Sequence, residues 1–289
     1  MNQPIQSRDE QYKIALSWRK NGGQVPLQGF DLAGCDLALV DLAGANLTRA
    51  IFRQANLTGA SLGGAHLRGA DFSMAILQDA HLEKAQLEQA DFTGANLQQT
   101  NLIQANLTGA DFRLADLREA MLLGANLSNA DFWAARMTGA SLKGCNLTGV
   151  NFAGAIMAAA EMAGATFVGA KNMSGVNLKR AILTRAVLTK VNLAGAFLGD
   201  SFLDEAEMTE VNLGGAYLAH ARLTRATLTQ ANLAGAFLAR AKLTKANLSG
   251  AILRGAVLTG ANLFEADLTG ANLDGAHLAG ATMPDGSQA

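Results

Sequence analysis

The sequence predicts an all-β solenoid, a parallel β-helix with four sides, and three regularities carry the prediction. From Leu27 to Phe167 a large apolar residue recurs at every fifth position without a slip, as at Leu42, Leu47, Phe52, Leu57 and Leu62. Two places before each stands a small residue, usually alanine (Ala45, Ala55, Ala60, Ala65), and the position between is usually polar (Asn46, Asn56, Ser61, His66, Asp71). Within this frame phenylalanine replaces leucine at Phe52, Phe72, Phe92, Phe112, Phe132 and Phe152, always 20 residues apart.

A period of five matches neither the 3.6 residues of a helical turn nor the alternation of a strand. It fits a chain that turns a corner every five residues, with one small and one large side chain pointing inward on each side. The 20-residue phenylalanine period gives the number of sides, because four such segments make one circuit. It also places ring over ring at the ~4.8 Å separation of paired strands, where stacking adds to apolar burial. These six phenylalanines are therefore read as a structural core ladder.

The register shifts once. Residues 170 to 175 hold one residue too many, after which the large apolar position falls on Leu178, Leu183, Leu188 and onward to Met283. A bulge at a corner can absorb one residue; a kink that re-aims the second half is the alternative. Three segments result: an N-terminal capping helix and turn over residues 1–24, a single repeat solenoid over 25–285 of about 13 coils, and a tail over 286–289. Ser7-Arg8-Asp9-Glu10 has the form of a capping box. The run through Tyr12, Ile14, Ala15, Leu16 and Trp18 suits a short amphipathic helix, and Asn21-Gly22-Gly23 stops it. Such a helix would lie over the first coil with Trp18 or Tyr12 inserted, shielding an open strand edge. At the far end Met283-Pro284-Asp285-Gly286 breaks the pattern.

Taken together, these units, of form A-(N/D)-(L/F)-x-G, resemble the pentapeptide-repeat family, including members of cyanobacterial type, over roughly residues 25 to 285. The resemblance implies a right-handed quadrilateral β-helix, and the handedness agrees with the rule for parallel crossovers. It also implies roles in protein binding. Some members imitate DNA and thereby inhibit or protect DNA gyrase.

The bulk chemistry points away from several classes. The formal charge is -1, which suits neither a phosphate-neutralising nucleic-acid binder nor a polybasic membrane anchor. No apolar run approaches the ~20 residues that span a bilayer, and the N-terminus has no signal-like apolar stretch, so a cytoplasmic address is expected. Cys35 and Cys145 fall on inward positions on opposite sides of the coil and read as buried thiols. No catalytic motif is recognisable, and a filled rod offers no deep pocket. The four histidines, His66, His81, His220 and His277, lack metal-ligand spacing. A non-enzymatic protein without cofactor or metal is expected.

Candidate binding surfaces come from outward columns. Phe197, Tyr217, Phe237 and Val257 stand 20 apart on one side, with Gly199, Ala219 and Ala239 two places on. They would make a flat apolar strip, the kind of patch that marks an interface with a protein partner or a second copy. Asp71, Asp91, Asp111 and Asp131 form an acidic column beside the phenylalanine ladder. Stacked carboxylates there would raise one another's pKa, hold a cation, or imitate DNA phosphates; the plainer alternative is that Asp is simply a usual residue at that repeat position. Secondary candidates are Trp133 and the group Ile103, Met121 and Leu123.

Overall fold

The computed structural model describes residues 7–289; residues 1–6 of the N-terminal segment lie outside the described residues. The chain divides into two compact units, Met1–Arg136 and Met137–Ala289.

Each repeat builds one side of a coil in the same way. The Asn or Asp position pairs with the residue 20 further on in a parallel bridge, as in Asp71↔Asp91 and Asn212↔Asn232. The following apolar residue points inward and is buried. A hydrogen bond across the next two residues closes the corner, for example Ala50 N–H to Leu47 O at 3.0 Å. The second corner residue has positive φ, the mark of a type II turn, and it need not be glycine. Arg49 (φ 58°), Leu114 (φ 60°) and Lys190 (φ 62°) occupy it as well.

The repeat's preference for Asn or Asp also has a local cause. Its side-chain oxygen accepts the backbone N–H two residues on, an Asx turn that rounds the corner. Asp71 takes Ser73 N–H at 2.9 Å, and Asn212 takes Gly214 N–H at 3.1 Å.

In the first unit, bridges at a spacing of 20 run from Asp31↔Ile51 to Asp116↔Arg136. Phe52, Phe72, Phe92, Phe112 and Phe132 are fully buried. Their rings stack with successive centroid distances of 4.8, 5.0, 4.9 and 4.7 Å and nearly parallel planes. Such stacking adds about 0.5–1.5 kcal/mol per pair beyond burial.

Helix α1 spans Arg8–Ser17 and begins with a complete capping box from Ser7 and Glu10. Side chains of the helix and of the turn after it reach polar groups of the first coil that have no earlier coil to pair with. Gln11 Oε1 accepts Asp31 N–H at 2.7 Å, and Tyr12 donates to Asp36 O at 2.9 Å. Arg8 donates to Ala33 O, and Arg19 donates to Ala43 O at 3.1 Å. Trp18 is buried and donates through Nε1 to Val25 O at 2.8 Å. Cys35 departs from expectation. It is half-buried because its coil is the first and no coil lies on its outer side. Cys145 is buried, and both sulfurs are thiols.

In the second unit the spacing between partners is 20 at Asn151↔Lys171, 21 at Ile156↔Asn177, Glu161↔Ile182 and Thr166↔Val187, and 20 again from Asn177↔Phe197. The extra residue therefore lies between Lys171 and Asn177. Asn172 there has φ of 55°, and its side-chain amide donates to Asn151 Oδ1 at 2.8 Å. Met173 stays buried, so the inward pattern resumes at once. Phe152 is buried too, with its ring tilted against Phe167 at 6.1 Å. At the end of the chain, Thr282 and Gln288 form an antiparallel bridge that folds the tail against the last coil.

Candidate binding surfaces

The aromatic column of the second unit is a surface feature. Phe197, Tyr217 and Phe237 are 55%, 45% and 37% exposed and are joined in register with Val257 by consecutive bridges. The Tyr217 and Phe237 rings stack at 5.2 Å with planes 9° apart. Small residues let the rings lie flat. A Cβ added at Gly199 would meet the edge of the Tyr217 ring at 3.0 Å, closer than real Cβ atoms normally pack.

The corner before the column is equally small, with Ala194-Gly195, Gly214-Gly215 and Ala234-Gly235. Beyond it stands an asparagine ladder in which Asn212 donates to Asn192 and Asn232 to Asn212, at 2.9 and 3.0 Å. The result is a flat, uncharged surface of rings, small residues and self-paired amides. Its fixed backbone means little ordering cost on binding. On the adjoining side Arg222 lies over the Phe202 ring at 5.3 Å and pairs with Asp204 at 3.1 Å.

The acidic column of the first unit behaves differently from its expected chemistry. Asp71, Asp91, Asp111 and Asp131 do stack in register. Each nevertheless accepts the amide two residues on, from Ser73, Thr93, Arg113 and Trp133. Arg53 pairs with Asp71 at 2.8 Å and Arg113 with Asp111 at 2.6 Å.

Burial is the largest single influence on the Asp71 carboxyl and pushes it up. The Ser73 hydroxyl and amide and the Arg53 guanidinium together outweigh it, so the carboxyl stays below its usual range. Burial likewise pushes Asp111 up, and Arg113 with its amide outweighs it. The expectation of mutually raised pKa values is thus corrected at these two positions. Local donors stabilise the charged form more than burial destabilises it. No group of His, Cys, Asp and Glu among the described residues is arranged to hold a metal ion. His66 Nδ1 lies 2.9 Å from Gln86 Oε1, and His81 lies 3.4 Å from Glu83.

Met121 and Leu123 are exposed and Ile103 is half-buried. They share one side of the coil, joined by the Asn101↔Met121 bridge. Trp133 is also exposed, but it stands two sides away, so these secondary candidates do not form one patch. Met74 and Leu114, exposed at corner positions beside the acidic column, were missed by sequence reasoning. Their signal was an apolar side chain where the repeat normally carries glycine or a polar residue.

A pentapeptide-repeat family model matches the chain in eight successive blocks that run from residue 27 to residue 285. The chain belongs to the pentapeptide-repeat family.

Among solved structures, HetL from the cyanobacterium Nostoc sp. strain PCC 7120, a pentapeptide-repeat protein involved in regulating heterocyst differentiation, is 31% identical. The match covers 94% of this chain and 96% of HetL, with a TM-score of 0.25. Rfr23 from the cyanobacterium Cyanothece 51142 is 30% identical over 47% of this chain and 86% of its own, with a TM-score of 0.16. QnrB1, a plasmid-mediated fluoroquinolone resistance protein, is 25% identical in a trypsin-treated variant form. That match covers 60% of this chain and 89% of QnrB1, with a TM-score of 0.47. Comparison with curated proteins gives no significant match. Pentapeptide-repeat proteins fold as right-handed quadrilateral β-helices, in keeping with the four-sided coils of both units. No helix among the described residues is long and apolar enough to cross a membrane.

Proposed function

We propose that this pentapeptide-repeat protein is a non-enzymatic, cytoplasmic interaction scaffold, a solenoid of about 13 coils that presents rigid flat faces to a protein partner or to a second copy of itself. One observation carries the reading. The rings of Phe197, Tyr217 and Phe237 are exposed in one register, continued by the half-buried Val257, and small residues on both flanks keep the strip flat. Contiguous exposed apolar area of this kind is uncommon on surfaces that bind nothing. Aromatic side chains also supply contact area at low entropic cost. In this reading α1 is an end cap. Its side chains take up the donors and acceptors of the first coil, which would otherwise invite another strand.

A gyrase-directed phosphate mimic would need a bare line of negative charge. The acidic column instead spends its oxygens on the chain's own amides and on Arg53 and Arg113.

The test compares the solution mass of the wild type with that of Phe197→Ser/Tyr217→Ser/Phe237→Ser by sedimentation equilibrium. A wild-type dimer reduced to a folded monomer by the three substitutions identifies a self-association face. Equal monomers of equal stability direct the strip to a different protein. A variant that no longer folds shows that the rings serve the protein's own packing, and the reading fails.

A further inference from the structure

Arginines of the first unit are, with two exceptions, neutralised by aspartate. Arg8, Arg19, Arg53, Arg113, Arg118 and Arg136 each form an ion pair, with N···O distances between 2.6 and 3.5 Å. Arg49 and Arg68 are the two that do not, among the described residues, and both line the same concavity of about 380 Å³. Thr48, Gly69, Gln28 and Gln89 complete it.

Architecture alone makes the two residues neighbours. Arg49 and Arg68 occupy adjoining corner positions on successive coils, and Arg49 N–H donates to Arg68 O at 3.0 Å. The Arg49 stem runs across Gly69, where an added Cβ would lie 3.7 Å from its Cγ. The acid one coil below Arg68, Glu88, accepts from the Asn106 amide at 2.6 Å and forms no ion pair with either arginine. The Thr48 hydroxyl donates to Asn46 Oδ1 at 2.8 Å, whereas the side-chain amides of Gln28 and Gln89 have no partner among the described residues.

We propose that this concavity is an oxyanion site that takes a phosphate group, free or as a small monoester, between the Arg49 and Arg68 guanidiniums. Two like charges on neighbouring corners repel, and an anion seated between them converts that repulsion into two attractions. Each guanidinium offers a fork of parallel N–H donors that suits the oxygens of phosphate. A pair of forks matches the charge of a dianion, where a single carboxylate would satisfy one. The Gln28 and Gln89 amides supply further neutral donors at the rim, and the volume leaves room for a small organic group beyond the phosphate.

Calorimetric titration of the full chain with inorganic phosphate at constant ionic strength tests the site. The expected result is saturable binding of one phosphate, weakened roughly ten-fold by Arg68→Gln or Arg49→Gln, the loss of one charge-assisted pair, and abolished in the double variant. The melting temperature without phosphate should be the same in all four proteins. In the wild type, phosphate should also shift the Gln28 and Gln89 side-chain amide resonances, a readout that does not depend on any variant folding. Absence of saturation, full binding by a folded double variant, or unmoved glutamine resonances overturns the proposal. Equal binding of acetate overturns the assignment to phosphate.

Discussion

The molecule contains two aromatic ladders with the same 20-residue period and opposite fates. Phe52 to Phe132 stack at 4.7–5.0 Å with no exposure, whereas Tyr217 and Phe237 stack at 5.2 Å on the surface. What separates them is one step of phase. The inner rings occupy the large inward position of each repeat, and the outer ones occupy the position just before it, where Asn or Asp is usual. Period decides that rings stack. Phase decides whether the stack supports the fold or faces outward.

The largest expected effect lies on the inner ladder. Phe92→Ala removes a ring flanked by stacked rings on both sides and leaves a cavity bounded by rigid coils, so a loss of roughly 3–5 kcal/mol is expected. Phe92→Leu restores the commonest repeat residue and should cost under about 1.5 kcal/mol. Urea unfolding midpoints of the two variants would check the difference, and equal midpoints would mean that the rings do not pack as a ladder.

A smaller effect sharpens the contrast between the two faces through pH. Asp71 and Asp111, beside the inner ladder, are held below the usual carboxyl range in the folded protein. Their charged forms therefore contribute stability that is fully present above the unfolded carboxyl's pKa of about 3.9. That stability is lost as pH falls through the lower folded values. Asp71→Asn should lower the melting temperature at neutral pH, converge on the wild type as the pH falls through the folded carboxyl's range, and so flatten the acid limb of the profile. An acid limb identical to that of the wild type would assign the loss to other carboxylates.

The smallest effect belongs to the outer ladder. Tyr217→Ala removes a half-exposed ring and should cost about 1 kcal/mol or less in thermal melts. A loss as large as that of Phe92→Ala would erase the distinction between the ladders.

Much of this was legible in the sequence because a pentapeptide repeat fixes both period and phase. Leu42 and Phe72 announce the inward position, and Phe197 announces an exception to it. The placement of Asp71, Asp91, Asp111 and Asp131 in one column was legible too, but not their partners. Whether a carboxylate meets a second carboxylate, its own i+2 amide or Arg53 depends on side-chain reach across a corner, which the spacing does not encode. The Arg49 and Arg68 concavity was hidden for a similar reason. The two residues stand 19 apart in sequence, in different columns, and only the corner geometry makes them neighbours. The half-burial of Cys35 depends on its being in the first coil, a fact about the edge rather than about the repeat.

The quarter-turn geometry also limits how such a protein can change over generations. Loss or gain of one five-residue unit leaves every inward position filled, so the core scarcely registers it, yet it swings each downstream column onto the next side. Only exchanges of 20 residues preserve what a face displays, and the single added residue at 172 keeps the order of sides because the side between Lys171 and Met173 absorbs it before a regular corner at Ser174-Gly175. Drift in this lineage should therefore be graded by arithmetic: multiples of 20 lengthen a face, multiples of five scramble it, and other lengths must be taken up as bulges.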